Sequence, residues 1–147
     1  MSEEIKLHLG CGDKHIPGFV HIDYADYAHI DYRQSIVDLS MFKDGSVQLI
    51  YCCHALEYFN RHEVKSVLAE WYRVLKKGGI LRLAVPDFEA MVKVYLKYND
   101  LEHQGILGPL YGQWQNNNTK ETLYHKTTYD FNSLSRLLMK INFKDIA

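Results

Sequence analysis

Only seven residues lie between Cys11 and Phe19, and that gap constrains the fold more than any other feature of the sequence. On either side of it stand runs that read as strands, Ile5 to Cys11 and Phe19 to Tyr24. A parallel crossover with its helix needs at least about 10–12 residues. The helix joining these strands is therefore vestigial or absent. The first run ends in Gly10-Cys11-Gly12 and the second carries Asp23, so a glycine turn and a carboxylate are expected at neighbouring strand ends.

Further along, Tyr, Asp and His dominate 25–35, which suits a loop, and Ser35 to Leu39 reads as a short third strand. After the turn cluster Lys43-Asp44-Gly45-Ser46, the nearly continuous apolar run Val47 to Cys53 fits a strand buried on both faces of a parallel sheet. A helix is expected from Asn60, where Glu63 three residues on imitates a capping box. Its stripe is Val64, Val67, Leu68, Trp71 and Leu75, and Lys76-Lys77-Gly78 ends it. Ile80 to Val85 is the fifth strand, and Pro86-Asp87 caps a helix with Phe88, Met91, Val92 and Tyr95 on one apolar, core-facing side. From Asp100 to Thr128 periodicity fails, and Asn116-Asn117-Asn118 mark a long loop of the kind that is functional or disordered. A last helix spans about Asn132 to Ile141, and Phe143 to Ile146 begins another strand. The alternation gives an α/β, doubly wound, mostly parallel sheet of order 3-2-1-4-5 with a partial C-terminal strand, in one domain over 1–147.

Composition removes several classes. Seventeen basic against 18 acidic residues leave no basic field, so nucleic acid is not an obligatory partner. No apolar stretch approaches the roughly 18–20 residues of a membrane span, and the acidic Met1-Ser2-Glu3-Glu4 is unlike a secretory signal, so a cytoplasmic protein is expected. The cysteines, 11, 52 and 53, are odd in number and two are adjacent, which argues against a disulfide framework; no CxxC or HxxxH pair supports zinc.

In such a sheet, ligands sit outside the carboxyl ends of the strands. Gly10, Cys11 and Gly12 form one wall, Asp23 can accept hydrogen bonds from a ribose diol, and Asp38, Leu39, Cys53, His54 and Leu56 follow at the later strand ends. A nicotinamide dinucleotide would need a third glycine where His15 stands and a helix N-terminus for its pyrophosphate. A nucleoside without phosphates fits better.

The ordered series His8-Leu9-Gly10-Cys11-Gly12, Val20-His21-Ile22-Asp23, Asp38-Leu39 and Ile50 to Glu57, then Arg73 to Gly79 with Pro86-Asp87, resembles the class I S-adenosylmethionine-dependent methyltransferases. It is most similar to a small bacterial branch, type 11-like, with a shortened first crossover. That resemblance implies S-adenosylmethionine as cofactor and S-adenosylhomocysteine as product. By the same resemblance, Gly10, Cys11 and Gly12 pass close to the methionine part, and Asp23 takes the ribose hydroxyls. Asp38 and Leu39 meet adenine, Cys53 offers backbone to the methionine amine, and His54 stands beside the sulfonium. It further implies a small-molecule or glycan acceptor. The branch often has a second histidine four residues after position 54, where this chain has Tyr58, and it commonly ends with an antiparallel strand that this sequence lacks. An unfinished sheet edge invites strand pairing between molecules, hence a homodimer.

His54 is the candidate base or substrate-positioning group, and Glu57, one helical turn on, either orients its ring or caps a helix. His125, Trp114 and Tyr124 could reach the acceptor, and Tyr24, Tyr27 and Tyr32 could flank the adenosine, whereas His8, His21 and His29 are ordinary strand or loop residues. Two readings remain: a working methyltransferase, or a catalytically silent cofactor-binding or assembly module with the same fold.

Overall fold

The computed structural model describes residues 4–115 and 120–147. Five parallel strands form the sheet, in the order β3-β2-β1-β4-β5. They are β1 (Ile5–Leu9), β2 (Val20–Asp23), β3 (Tyr32–Arg33), β4 (Val47–Cys53) and β5 (Leu75–Ala84). Leu9 pairs with Ile22 on one side and Cys52 on the other, and Cys53 pairs with Ala84, so the carboxyl ends of four strands finish at one level. Leu7, Leu9, Ile22, Val47 and Ile50 are fully buried, as a sheet covered on its faces requires.

The connection from β1 to β2 contains turns and no helix. His21 does the helix's work. Its buried ring accepts a hydrogen bond from the Ile16 amide at Nε2 (2.9 Å), which leaves the proton on Nδ1, 3.4 Å from Asp31 Oδ2. The His21 amide donates to the same Asp31 oxygen at 2.7 Å. One side chain thus ties the short connection to the loop before β3.

The third strand is Tyr32–Arg33, not Ser35 to Leu39. In the latter stretch Ser35 Oγ accepts from the Val37 amide and Asp38 Oδ1 from the Ser40 amide, capturing donors that strand pairing would use. Ile36 and Leu39 are nevertheless buried, and Trp71 Nε1 donates to the Ile36 carbonyl at 2.8 Å. Apolar character there reflects packing of an irregular segment.

Helix α1 (Glu63–Val74) is preceded by the expected cap: Asn60 Oδ1 accepts from the His62 and Glu63 amides, and the Asn60 amide donates to Glu63 Oε2 at 2.9 Å. Val64, Val67, Leu68, Trp71 and Val74 form its buried stripe. The helix stops at Val74 rather than at Gly78, because Leu75 is extended and already pairs with Val47. In helix α2 (Phe88–Tyr98), capped by Asp87, only Met91 is buried; Phe88, Val92 and Tyr95 are exposed, contrary to the core role expected of that face.

The expected loop from 100 to 128 carries structure: helix α3 (Leu107–Tyr111) and an antiparallel pair, β6 (Trp114–Gln115) with β7 (Thr122–Leu123). Asn116-Asn117-Asn118 and the side chain of Trp114 lie outside the described residues. Helix α4 (Phe131–Lys140) has a reciprocal cap between Asp130 and Ser133. Phe143 to Ile146 forms no strand: the Phe143 amide donates to the Leu138 carbonyl, and its ring meets Tyr72 edge-on. The partial C-terminal strand is thereby replaced by a cap on α4. Among the described residues no helix is long and apolar enough to cross a membrane.

Candidate functional site

At the carboxyl ends of the strands lie two cavities. The larger, about 630 Å³, takes Gly10, Cys11, Gly12, Asp23 and His54 from the expected set. Gly10 and Gly12 both have positive φ, 63° and 52°, so the turn demands residues that tolerate a left-handed backbone. A Cβ on Gly10 would stand 2.6 Å from Ala55 Cβ, whereas none of the described atoms lies within 4 Å of one on Gly12. Gly10 is a packing contact; Gly12 leaves room for a guest.

Asp23 Oδ2 accepts from the Gly12 amide and Oδ1 from the Ala25 amide, each at 2.8 Å. A carboxylate offers about four acceptor positions, so capacity for a diol remains. Cys11 is buried, and desolvation together with the nearby Asp23 charge pushes its thiol up to about 12. It is an inert wall rather than a nucleophile.

Asp38, Leu39 and Cys53 do not line this cavity. Leu39 is fully buried in the core, its amide donating to Glu70 Oε1 and its carbonyl accepting from Arg73. Asp38 is turned to solvent and occupied by the Ser40 amide. Their places are taken by Ser35, Ile36 and Val37 just upstream. The remaining wall comes from Ala55, Tyr58 and Phe59, from Glu63, Ser66 and Val67 on α1, and from Leu123 and Lys126. No motif pointed to the last two, since they reach the site only through the folding of segment 100–128. Of the three tyrosines expected to flank it, Tyr24 lines the cavity, while Tyr27 stacks on His29 and Tyr32 meets Phe42.

His54 also lines the second cavity, of about 410 Å³, with Met91, Pro109 and His125. Its φ of 54° is left-handed, a strained conformation for a non-glycine residue at the point where the two cavities meet. The ring is 60% exposed, and Nδ1 lies 3.3 Å from Oε1 of the buried Glu57. Glu57 sits in a short 3-10 turn (Leu56–Tyr58) at 0% exposure. The same Oε1 lies 3.7 Å from His125 Nε2, and the Glu57 carbonyl accepts from the Lys126 amide. Glu57 Oε2 has no hydrogen-bond partner among the described residues. A buried carboxylate between two imidazoles is costly for folding alone and characteristic of functional sites. His125 is pinned further by Nδ1, which donates to the Pro109 carbonyl at 2.9 Å, and by Tyr58, whose ring meets it edge-on. Among the described residues no group of three or more His, Cys, Asp or Glu side chains is arranged to hold a metal.

Residues 7–83, more than half of the chain, match the family model described as a methyltransferase domain. The chain belongs to the methyltransferase-domain family. S-adenosylmethionine is the cofactor of this family, and the larger cavity fits it. Gly12 leaves the approach open, Asp23 retains acceptor capacity, and Lys126 is the single lysine or arginine among the described lining residues, which suits a nucleoside better than a pyrophosphate.

Solved structures share this domain's fold. A methyltransferase from Methanosarcina mazei superposes with a TM-score of 0.64 at 19% identity, covering 98% of this chain and 82% of its own. One from Thermotoga maritima, described as a possible histamine N-methyltransferase, gives 0.62 at 16% identity, covering 99% and 66%. The 1,6-didemethyltoxoflavin-N1-methyltransferase of Burkholderia thailandensis, solved with S-adenosylhomocysteine, gives 0.61 at 10% identity, covering 95% and 60%. The methyltransferase domain thus spans only part of these chains. No curated protein matches it at a significant level.

Proposed function

We propose that this chain transfers the methyl group of S-adenosylmethionine to a small-molecule acceptor in the smaller cavity, with His54 as the general base. The observation that carries the reading is the position of His54 in the walls of both cavities. When bound, S-adenosylmethionine supplies an electrophilic methyl on a sulfonium sulfur, which departs as a neutral thioether. The chain's own task is alignment: effective molarities for well-oriented reactants reach about 10⁵–10⁸ M.

Gly10, Cys11 and Gly12 would hold the methionine part and Asp23 the ribose. Ile36 and Val37 would face adenine, in place of the Asp38 and Leu39 expected from sequence. Glu57 holds His54 through Nδ1, so that Nε2 remains to take the acceptor's proton. Cys53 lies one residue before His54 in the chain, and its contribution would be made through backbone.

Isothermal titration with S-adenosylmethionine, S-adenosylhomocysteine and NAD tests the cofactor assignment. Binding of the first two and not the third is expected; heat from NAD alone would overturn it. The silent-module reading predicts that both cofactor forms bind and that no acceptor is methylated. A homodimer retains a physical basis in β5, whose outer side pairs with no further strand among the described residues, and light scattering reads it directly.

A further inference from the structure

The smaller cavity has a composition that selects its occupant, and the choice rests on the methyl-transfer reading above. Three of its lining residues are Gly105, Gly108 and Gly112, which present backbone rather than side chains, and facing apolar groups include Ala90, Met91 and Val94 on α2. Its polar groups are Asp87, His125 and His54. Asp87 is exposed to solvent, and its Oδ1 accepts from the Glu89 amide as the cap of α2. His125 is held by the Pro109 carbonyl and Glu57. Of the two imidazoles, His54 is therefore the one with a nitrogen, Nε2, left uncommitted.

We propose that this cavity binds a planar aromatic ring bearing a single hydroxyl, and that a phenol-type oxygen is the methyl acceptor. A slot of glycine backbone against Met91 and small aliphatic side chains suits the face of a ring, and a thioether sulfur makes favourable contacts with aromatic edges. A sugar brings several hydroxyls, and each one left unpaired on entering the cavity weakens binding roughly tenfold. One hydroxyl is satisfied at His54 Nε2, and beyond it the lining side chains offer only the solvent-exposed Asp87 carboxylate, too little for the several hydroxyls of a sugar. Acidity points the same way. A phenol ionises near pH 10, within reach of an imidazole base, whereas an aliphatic alcohol lies far above it.

The test uses the chain with S-adenosylhomocysteine at saturation, itself checked by a separate titration on which the cofactor assignment alone depends. The probes are 2-naphthol, naphthalene and methyl α-glucoside, read by calorimetry and thermal shift. The expected result is binding of 2-naphthol, several-fold weaker binding of naphthalene, and none of the glucoside. Gly108 has no described atom within 4 Å of a prospective Cβ, so Gly108→Leu should fill the slot and weaken 2-naphthol at least tenfold without changing S-adenosylhomocysteine affinity. Ala90→Leu, from the opposite wall on α2, should do the same and guards against a folding defect in α3. Binding of the glucoside in place of 2-naphthol, or 2-naphthol affinity untouched by both variants, overturns the proposal.

Discussion

Gly10 and Gly12 flank one cysteine and share a left-handed backbone, yet the same added methyl group should act on them differently. In Gly10→Ala the new Cβ meets Ala55 Cβ at 2.6 Å, inside any real van der Waals contact. The left-handed conformation costs about 1–2 kcal/mol for alanine and overpacking a further 1–3 kcal/mol, a total of about 2–5 kcal/mol. For a chain of this length, that lowers Tm by roughly 5–15 °C. Gly12→Ala meets no such obstacle and should cost only the backbone term, about 1–2 kcal/mol, while its methyl intrudes on the cofactor approach and weakens S-adenosylhomocysteine at least about tenfold. The clash on Gly10 has one partner, which makes it correctable. Ala55→Gly alone should destabilise by about 0.5–1 kcal/mol, but combined with Gly10→Ala it should recover about 1–3 kcal/mol relative to additivity. Urea melts of the four proteins supply the cycle, and calorimetry supplies affinity. Additive energies in the cycle would refute the steric argument; Gly12→Ala with unchanged cofactor affinity would refute the assignment of the turn to the ligand.

Three other perturbations probe separate links. Burial, with the positive charge that His21 would carry, lowers the His8 imidazole to about 4 from 6.5, so the unfolded chain binds the extra proton between those values. Stability is therefore full above pH 6.5 and falls toward pH 4, by at most about 3 kcal/mol from this residue, with His21 shifted in the same direction; His8→Leu should flatten the slope of urea-melt stability against pH, and an unchanged slope would refute the assignment. His54→Gly relieves a left-handed conformation at about the cost of glycine's own entropy, so stability should change by less than about 1 kcal/mol while turnover falls about 10²–10⁴-fold; retained turnover would remove His54 from the proton transfer. Trp71→Phe deletes the donor to the buried Ile36 carbonyl and should cost about 1–3 kcal/mol and weaken S-adenosylhomocysteine by loosening the Ile36 wall; stability lost with affinity intact would show that Ile36 does not touch the ligand.

The parts legible in the sequence are those where one local signal determines one local outcome. The apolar run Val47 to Cys53, the Asn60–Glu63 reciprocal cap and the α1 stripe from Val64 to Trp71 lie where periodicity and capping put them, whereas Leu75, expected to end that stripe, begins β5 and Val74 takes its place. Strand β3 was not legible because its two residues are exposed and carry no apolar alternation, while the apolar Ile36 and Leu39 nearby are buried without being strand. The same displacement explains the site. Sequence order put Asp38 and Leu39 at a strand end, but the chain reaches the cavity three residues earlier and then turns into the core, where Glu70 and Arg73 hold Leu39 by its backbone. Lys126 and Leu123 belong to a segment without periodicity, and only the pairing of its backbone with Tyr111 and Glu57 brings them over the cavity.

The absent crossover helix and the buried histidine of β2 are one device. A helix after β1 would normally satisfy its own backbone and cover the sheet; seven residues cannot. The connection instead needs an outside acceptor for the Ile16 amide, and His21 Nε2 provides it from inside the sheet, with its tautomer fixed by Asp31. That arrangement holds only while His21 is neutral, since a protonated ring has no lone pair for Ile16. Burial and the neighbouring His15 and His29 oppose protonation, and Asp31 favours it. His8, His15 and His29 each meet the His21 ring, and His29 Nε2 lies 4.0 Å from Cys11 Sγ, so rings rather than a helix pack against the short crossover. Replacing His21 with Asn tests the equivalence. The Asn amide nitrogen can stand where Nδ1 meets Asp31 but is too short to put an acceptor where Nε2 meets the Ile16 amide, so the variant should loosen the connection and lower cofactor affinity more than a substitution at the exposed His15. Equal effects from the two positions would refute the link between the crossover and the site.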